Sequence, residues 1–113
     1  MALKNSINAL KLGNEKAVDK VNRFLSNADQ YADLNAFVNL LPDYALQKAK
    51  DIDARIANGK ETGKLAGAIV AIKDNINIKN EVTTCCSNIL KSFTSPYSAT
   101  VVNKLEAADA III

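Results

Sequence analysis

The chain has 113 residues, 49% of them hydrophobic and 23% charged, a balance that supports one globular domain with a core of ordinary proportions. Fourteen basic against 12 acidic side chains leave a net charge of +2, too small and too evenly spread for the basic stripe that nucleic-acid binding needs. No apolar run is long enough for a membrane span or a signal peptide, so a cytoplasmic location without membrane association is expected.

In chain order, Ala17, Val18, Val21, Phe24, Leu25 and Ala28 recur at spacings of three and four, which predicts an amphipathic helix from Asn14 to about Ala28. Asn14 is the expected N-cap and Glu15 suits the positive end of the helix dipole. A second helix is expected from Pro42 through Ala45, Ala49, Ile52 and Ile56, with Asn58-Gly59 as its stop. After a loop punctuated by Gly63 and Gly67, Ala68 to Ile72 is continuously apolar, as in a strand buried on both faces, and ends abruptly at Lys73-Asp74-Asn75. Pro96 and the N-cap candidate Ser98 open a helix carrying Val101, Val102, Leu105 and Ala108, and Ala110 to Ile113 reads as a second buried strand.

Strand, long connection with a helix, strand is a crossover unit, so the fold class is α/β with both strands in one largely parallel sheet. Residues 1–60 form a helical lead-in layer and residues 61–113 begin the α/β core. Two strands leave both sheet edges unpaired, and three isoleucines close the chain, so this reading expects a truncated fold of weak stability when isolated.

Chemistry has few carriers here. No histidine is present, which leaves Lys, Tyr, Cys and carboxylates for acid–base work. In open α/β sheets sites gather beyond the carboxyl ends of the strands, and Lys73 stands at such an end. Of the 12 lysines it alone follows five apolar residues, where partial burial would favour a neutral amine able to act as a base. The plainer reading is a lysine that reaches out from a strand end or pairs with Asp74. Thr83-Thr84-Cys85-Cys86-Ser87 could supply a nucleophile if the chain folded back toward Lys73, but such residues more often cap turns or, for cysteine, fill small buried spaces. Adjacent Cys85 and Cys86 are expected as reduced thiols, because a disulfide between neighbours strains the peptide joining them. Tyr31, Tyr44 and Tyr97 are expected to be half-buried packing residues.

Leu65 to Asn75 and Thr83 to Ser87 resemble the lysine block and the following Thr-Thr-Cys-Ala-Ser segment of the amidase-signature family. Ser95 to Val102 and Ala108 to Ile113 are similar to its next helix and strand. Within the family, Leu34 to Val38 and Ala45 to Gly59 most resemble the amidase components of glutamyl-tRNA(Gln) amidotransferases. The resemblance implies a lysine, a bridging serine and a nucleophilic serine, of which only the lysine maps onto this sequence, at Lys73. It also implies glutamine as substrate, ammonia passed to the other amidotransferase subunits, and ATP, magnesium and tRNA handled by a partner subunit, with no cofactor held by this segment. Ile69, where many relatives carry proline, and Cys86, where they carry a small residue, depart from the pattern. Two alternatives remain: a stand-alone amidase acting on another small amide, and a non-catalytic interaction module derived from the family.

Overall fold

The computed structural model describes residues 2–113. Four helices, α1 (Ala2–Lys11), α2 (Ala17–Gln30), α3 (Pro42–Ala57) and α4 (Thr100–Ala107), surround two short strands, β1 (Ile69–Val70) and β2 (Ile111–Ile112). The strands are parallel and adjacent, with Ile69 opposite Ile111 and Val70 opposite Ile112. Hydrogen bonds from Ile111 N–H to Ala68 O at 2.8 Å and from Ile113 N–H to Val70 O at 3.1 Å hold the ladder.

Side chains alternate across a strand, and here the alternation divides the core in two. Ile111 and Ile113 face Leu10, Val21, Ala45, Ala49 and Ile52 from α1, α2 and α3, while Ile112 faces Ile78 and Val102 of α4 on the other side. The result is a small three-layer arrangement, helices on both faces of a parallel pair. β1 is less enclosed than its composition suggests. Ile69 and Val70 are half-buried and Ala71 is exposed, because β1 has a strand neighbour on one edge alone among the described residues.

The helix that starts at Pro42 follows the expected pattern closely. Pro42 opens α3, Ala45, Ala49 and Ile52 are buried, and Asn58 ends it. Gly59, at φ +65°, donates to Ile56 O at 3.0 Å while Lys60 N–H reaches Arg55 O at 2.9 Å, the paired bonds of a Schellman turn.

Two helix starts differ from the sequence reading, each because of a contact from distant chain. α2 begins at Ala17, not near Asn14, because the N–H groups of Ala17 and Val18 are taken by the Asp53 carboxylate of α3 at 2.7 and 3.1 Å. α4 begins after Ala99 rather than after Ser98, whose hydroxyl accepts the Lys79 N–H at 2.9 Å instead. α1 has no counterpart in the sequence reading. Its buried Ile7 and Leu10 repeat at helical spacing with Leu3, a faint signal in a polar segment.

One carboxylate fastens the layers. Asp109, in the left-handed region at φ +66° between α4 and β2, is 5% exposed and accepts four hydrogen bonds. Arg55 contributes two at 3.0 and 2.5 Å, Lys48 one at 2.9 Å and Gly63 N–H one at 2.6 Å. Burial alone would raise the pKa of this group, but Arg55, Lys48 and the Gly63 amide together outweigh it and hold the carboxyl well below the usual carboxylate range. The loop must approach closely for this. A Cβ on Gly63 would overlap the Ala108 carbonyl, so alanine there has no room without moving backbone.

Asp109→Asn is expected to lower stability by about 3 kcal/mol at pH 7, since it leaves two cations without their shared partner. A carboxyl whose folded-state pKa is depressed stabilises fully above its unfolded value, near about 4, and loses that contribution as pH falls through the folded value. Urea unfolding at pH 7 and pH 3 is therefore expected to show the gap between parent and variant narrowing at the lower pH. Equal gaps would contradict this account of Asp109.

Candidate active site

The carboxyl ends of β1 and β2 open into a cleft of about 600 Å³. Ile72, Lys73 and Asp74 leave β1 along one wall, Ile113 follows β2, and Cys85 and Cys86 close a second wall. Residues 36–39, in the extended connection between α2 and α3, form a third with Phe37 and Val38. Parallel strands direct both carboxyl ends to one side of the sheet, which is why the cleft lies here.

The structure brings together the two polar groupings singled out in the sequence. Asp74 accepts the Thr84 N–H at 2.9 Å and the Thr84 hydroxyl, and its carbonyl accepts the Cys85 N–H at 2.8 Å. Thr84 Oγ1 also accepts the Cys86 N–H at 3.0 Å. The Asp74 carboxyl is held below its ordinary value, chiefly by the Thr84 hydroxyl and then by the Thr84 amide.

Two expectations for Lys73 need correction. It is exposed rather than partly buried, because the strand ends before it and the cleft beyond is open. It does not pair with Asp74 either, since that carboxylate is turned to Thr84, and among the described residues no carboxylate forms an ion pair with Lys73. What the position offers is an amine on a short stalk fixed by the sheet, accessible from the cleft.

The cysteines are free thiols and exposed, not small buried hydrophobes. Both adopt positive φ, +50° at Cys85 and +55° at Cys86, a conformation that places their N–H groups inward on Asp74 and Thr84 and their side chains toward the cleft wall. Thr84 does not fit the nucleophile role. Its hydroxyl is already donor to Asp74 and acceptor from Cys86. Thr83 is buried, with its N–H bonded to Phe93 O at 3.0 Å, and Ser87 caps the turn at Asn88–Leu90.

Tyr31 and Tyr97 are more than half exposed, against the packing role expected of them, whereas Tyr44 is half-buried and donates to Glu106. Burial and then the Glu106 hydrogen bond push the Tyr44 phenol above its ordinary value. Sequence reasoning missed Phe37, Val38 and Glu81 as cleft residues, and it missed Lys20, a buried lysine outside the cleft whose ammonium donates to Gly67 O at 2.6 Å. Burial lowers the Lys20 pKa, with Glu15 opposing and Arg23 assisting. Among the described residues no three His, Cys, Asp or Glu side chains are placed to hold a metal ion, and no helix is long and apolar enough to cross a membrane.

The family profile described as amidase matches residues 19–113. The chain belongs to the amidase family. Curated relatives include two glutamyl-tRNA(Gln) amidotransferase proteins, both of the type designated A. The one from Clostridium acetobutylicum, the second of its type there, is 45% identical, covering 100% of this amidase chain and 24% of its own. Its counterpart in Methanothermobacter thermautotrophicus is 40% identical, covering 86% of this chain and 22% of its own. Among solved structures, the native peptide amidase of Stenotrophomonas maltophilia superposes with a TM-score of 0.90 at 26% identity, covering 98% of this chain and 23% of that one. The chain thus spans about a quarter of the length of the curated relatives it matches. The mixed α/β layering expected from sequence is that of the amidase fold.

The left-handed turn in this amidase can be tested. Cys86→Val puts a β-branched residue at φ +55° and is expected to lower stability by about 1 kcal/mol, whereas Cys86→Asn, tolerant of that region, is expected to change it little. Because Cys86 is exposed, lost packing cannot account for a difference. Matching urea midpoints for the two variants would refute the strain argument.

Proposed function

We propose that this amidase segment supplies the base of a serine–serine–lysine relay in the glutamine-hydrolysing component of a glutamyl-tRNA(Gln) amidotransferase, with Lys73 as that base. The observation that carries the reading is the position of Lys73, at the carboxyl end of a parallel strand, facing a cleft and without an ion-pair partner among the described residues. The names of the relatives support the choice of component, and the resemblance of Ala71 to Asn75 to the family's lysine block supports the choice of residue.

In this mechanism the neutral Lys73 amine takes the proton of a bridging serine, which in turn deprotonates the serine that attacks the glutamine amide carbon. The proton returns through the same relay to the leaving ammonia. An amine serves this task because it gains and loses one proton without a histidine, which the chain lacks. The ammonia goes to a partner subunit that uses ATP and magnesium on glutamyl-tRNA, and this segment contacts neither nucleotide nor tRNA. Work in the cytoplasm is part of the same proposal.

A second reading has its own support. The structural likeness to a peptide amidase is close in shape, so a stand-alone amidase acting on another small amide would place Lys73 in the same role. Comparing glutamine with a peptide amide as substrate separates the two.

In an amidase of the relatives' full length carrying this segment, Lys73→Ala is expected to lower glutamine hydrolysis by about 10²- to 10⁴-fold with little change in thermal stability. Lys73→Arg is expected to be nearly as damaging, since guanidinium does not release its proton at working pH. Lys64→Ala, in the loop before β1, serves as control and is expected to retain parent activity. Near-normal turnover by Lys73→Arg would reduce the residue to a positive charge and end the relay assignment. The 113 residues alone are expected to release no ammonia from glutamine above a buffer blank.

A further inference from the structure

Asp74 follows Lys73 directly, yet each of its polar contacts leads away from the lysine. The carboxylate holds the amide and hydroxyl of Thr84, and the carbonyl holds the Cys85 amide. Thr84 is itself anchored, by the Cys86 amide on its hydroxyl, by Thr83 on Phe93 O, and by the antiparallel bridge between Val82 and Thr94. On the other side, Lys73 O accepts the Ile76 N–H at 2.9 Å, so the backbone is fixed before and after Asp74. A turn whose amides are used internally in this way is a brace rather than an anion cradle.

The charge arrangement gives the brace a purpose. A carboxylate one residue from an ammonium, if released, reaches it easily, and an opposite charge within about 4–6 Å favours the protonated amine by one or more pH units. A general base held protonated is a poor base. Thr84 removes that hazard by occupying both carboxylate oxygens. The other titratable groups on the cleft are Glu81, Cys85 and Cys86, and these stay the same in every comparison below.

From this geometry we infer that Asp74 and Thr84 form a positioning pair for Lys73, in which Thr84 keeps the Asp74 carboxylate off the amine while the Asp74 backbone fixes the lysine's stalk. The inference builds on the reading of Lys73 as a base, but its test needs no turnover. Lys73 acetylation by acetic anhydride, followed against pH by mass spectrometry with Lys64 as internal reference, reports the amine directly in this chain. In Thr84→Val the labelling midpoint of Lys73 is expected to rise by about one pH unit relative to parent. Thr84→Ser, which keeps the hydroxyl, is expected to return it to the parent value, and Asp74→Asn combined with Thr84→Val is expected to abolish the rise.

A parent-like midpoint in Thr84→Val, a rise that persists in the double variant, or failure of serine to rescue would each overturn the pair. If circular dichroism shows Thr84→Val unfolded, Thr84→Ala carries the same comparison with a smaller side chain. The two proposals fail separately. A Lys73 that titrates as described but is dispensable for amide hydrolysis removes the relay and leaves the brace, and the reverse result does the opposite.

Discussion

The arrangement depends on Asp109 more than on any apolar contact. The parallel pair is only two residues long on each side, so its ladder cannot by itself hold α3, the loop at residues 61–68 and α4 in register. Asp109 ties all three, taking Lys48 and Arg55 from α3 and the Gly63 amide from the loop, at the point where α4 hands over to β2. A buried carboxylate with all its partners present is an anchor, and with one removed it becomes an uncompensated charge. The register of β1 against β2, and so the position of Lys73 just beyond β1, follows from that anchor.

Charge around the cleft is arranged in a similar way. Asp109 absorbs Arg55 and Lys48, and Thr84 absorbs Asp74. Lys73 is left facing the cleft with its amine unpaired among the described residues, which is the condition a proton acceptor needs. The apolar wall from Phe37 and Val38 belongs to the extended connection before α3, so the helical layer contributes to the cleft as well as to the core.

Much of the fold is legible in local pattern. α3 shows in Pro42, the Ala45–Ala49–Ile52 spacing and Asn58-Gly59, and β2 in the run of isoleucines, because each signal and its cause lie within a few residues. Lys73 stands out for the same reason, as a polar residue ending an apolar run. What stays hidden is carried by side chains bonding across long stretches of chain: Asp53 on the start of α2, Asp109 on α3, Thr84 on Asp74. Those contacts shift the start of α2, turn Asp74 away from Lys73 and put Cys85 and Cys86 in a left-handed turn, and no periodicity announces them. The exposure of Ala71 and the half-burial of Ile69 and Val70 are hidden too, since a run of apolar residues does not say how many strands will flank it.

Asp53 bears on how the molecule assembles. Its carboxylate satisfies the first amides of α2 only when α3 is already alongside, because Lys16 at the N-cap position makes no side-chain cap of its own. A peptide of residues 14–30 would therefore fray at the end that is tight in the folded chain, short helices being marginal in water without packing. Completing α2 and docking it on α3 become a single cooperative event, and the order of the N-terminal half is a property of the helix pair rather than of either helix.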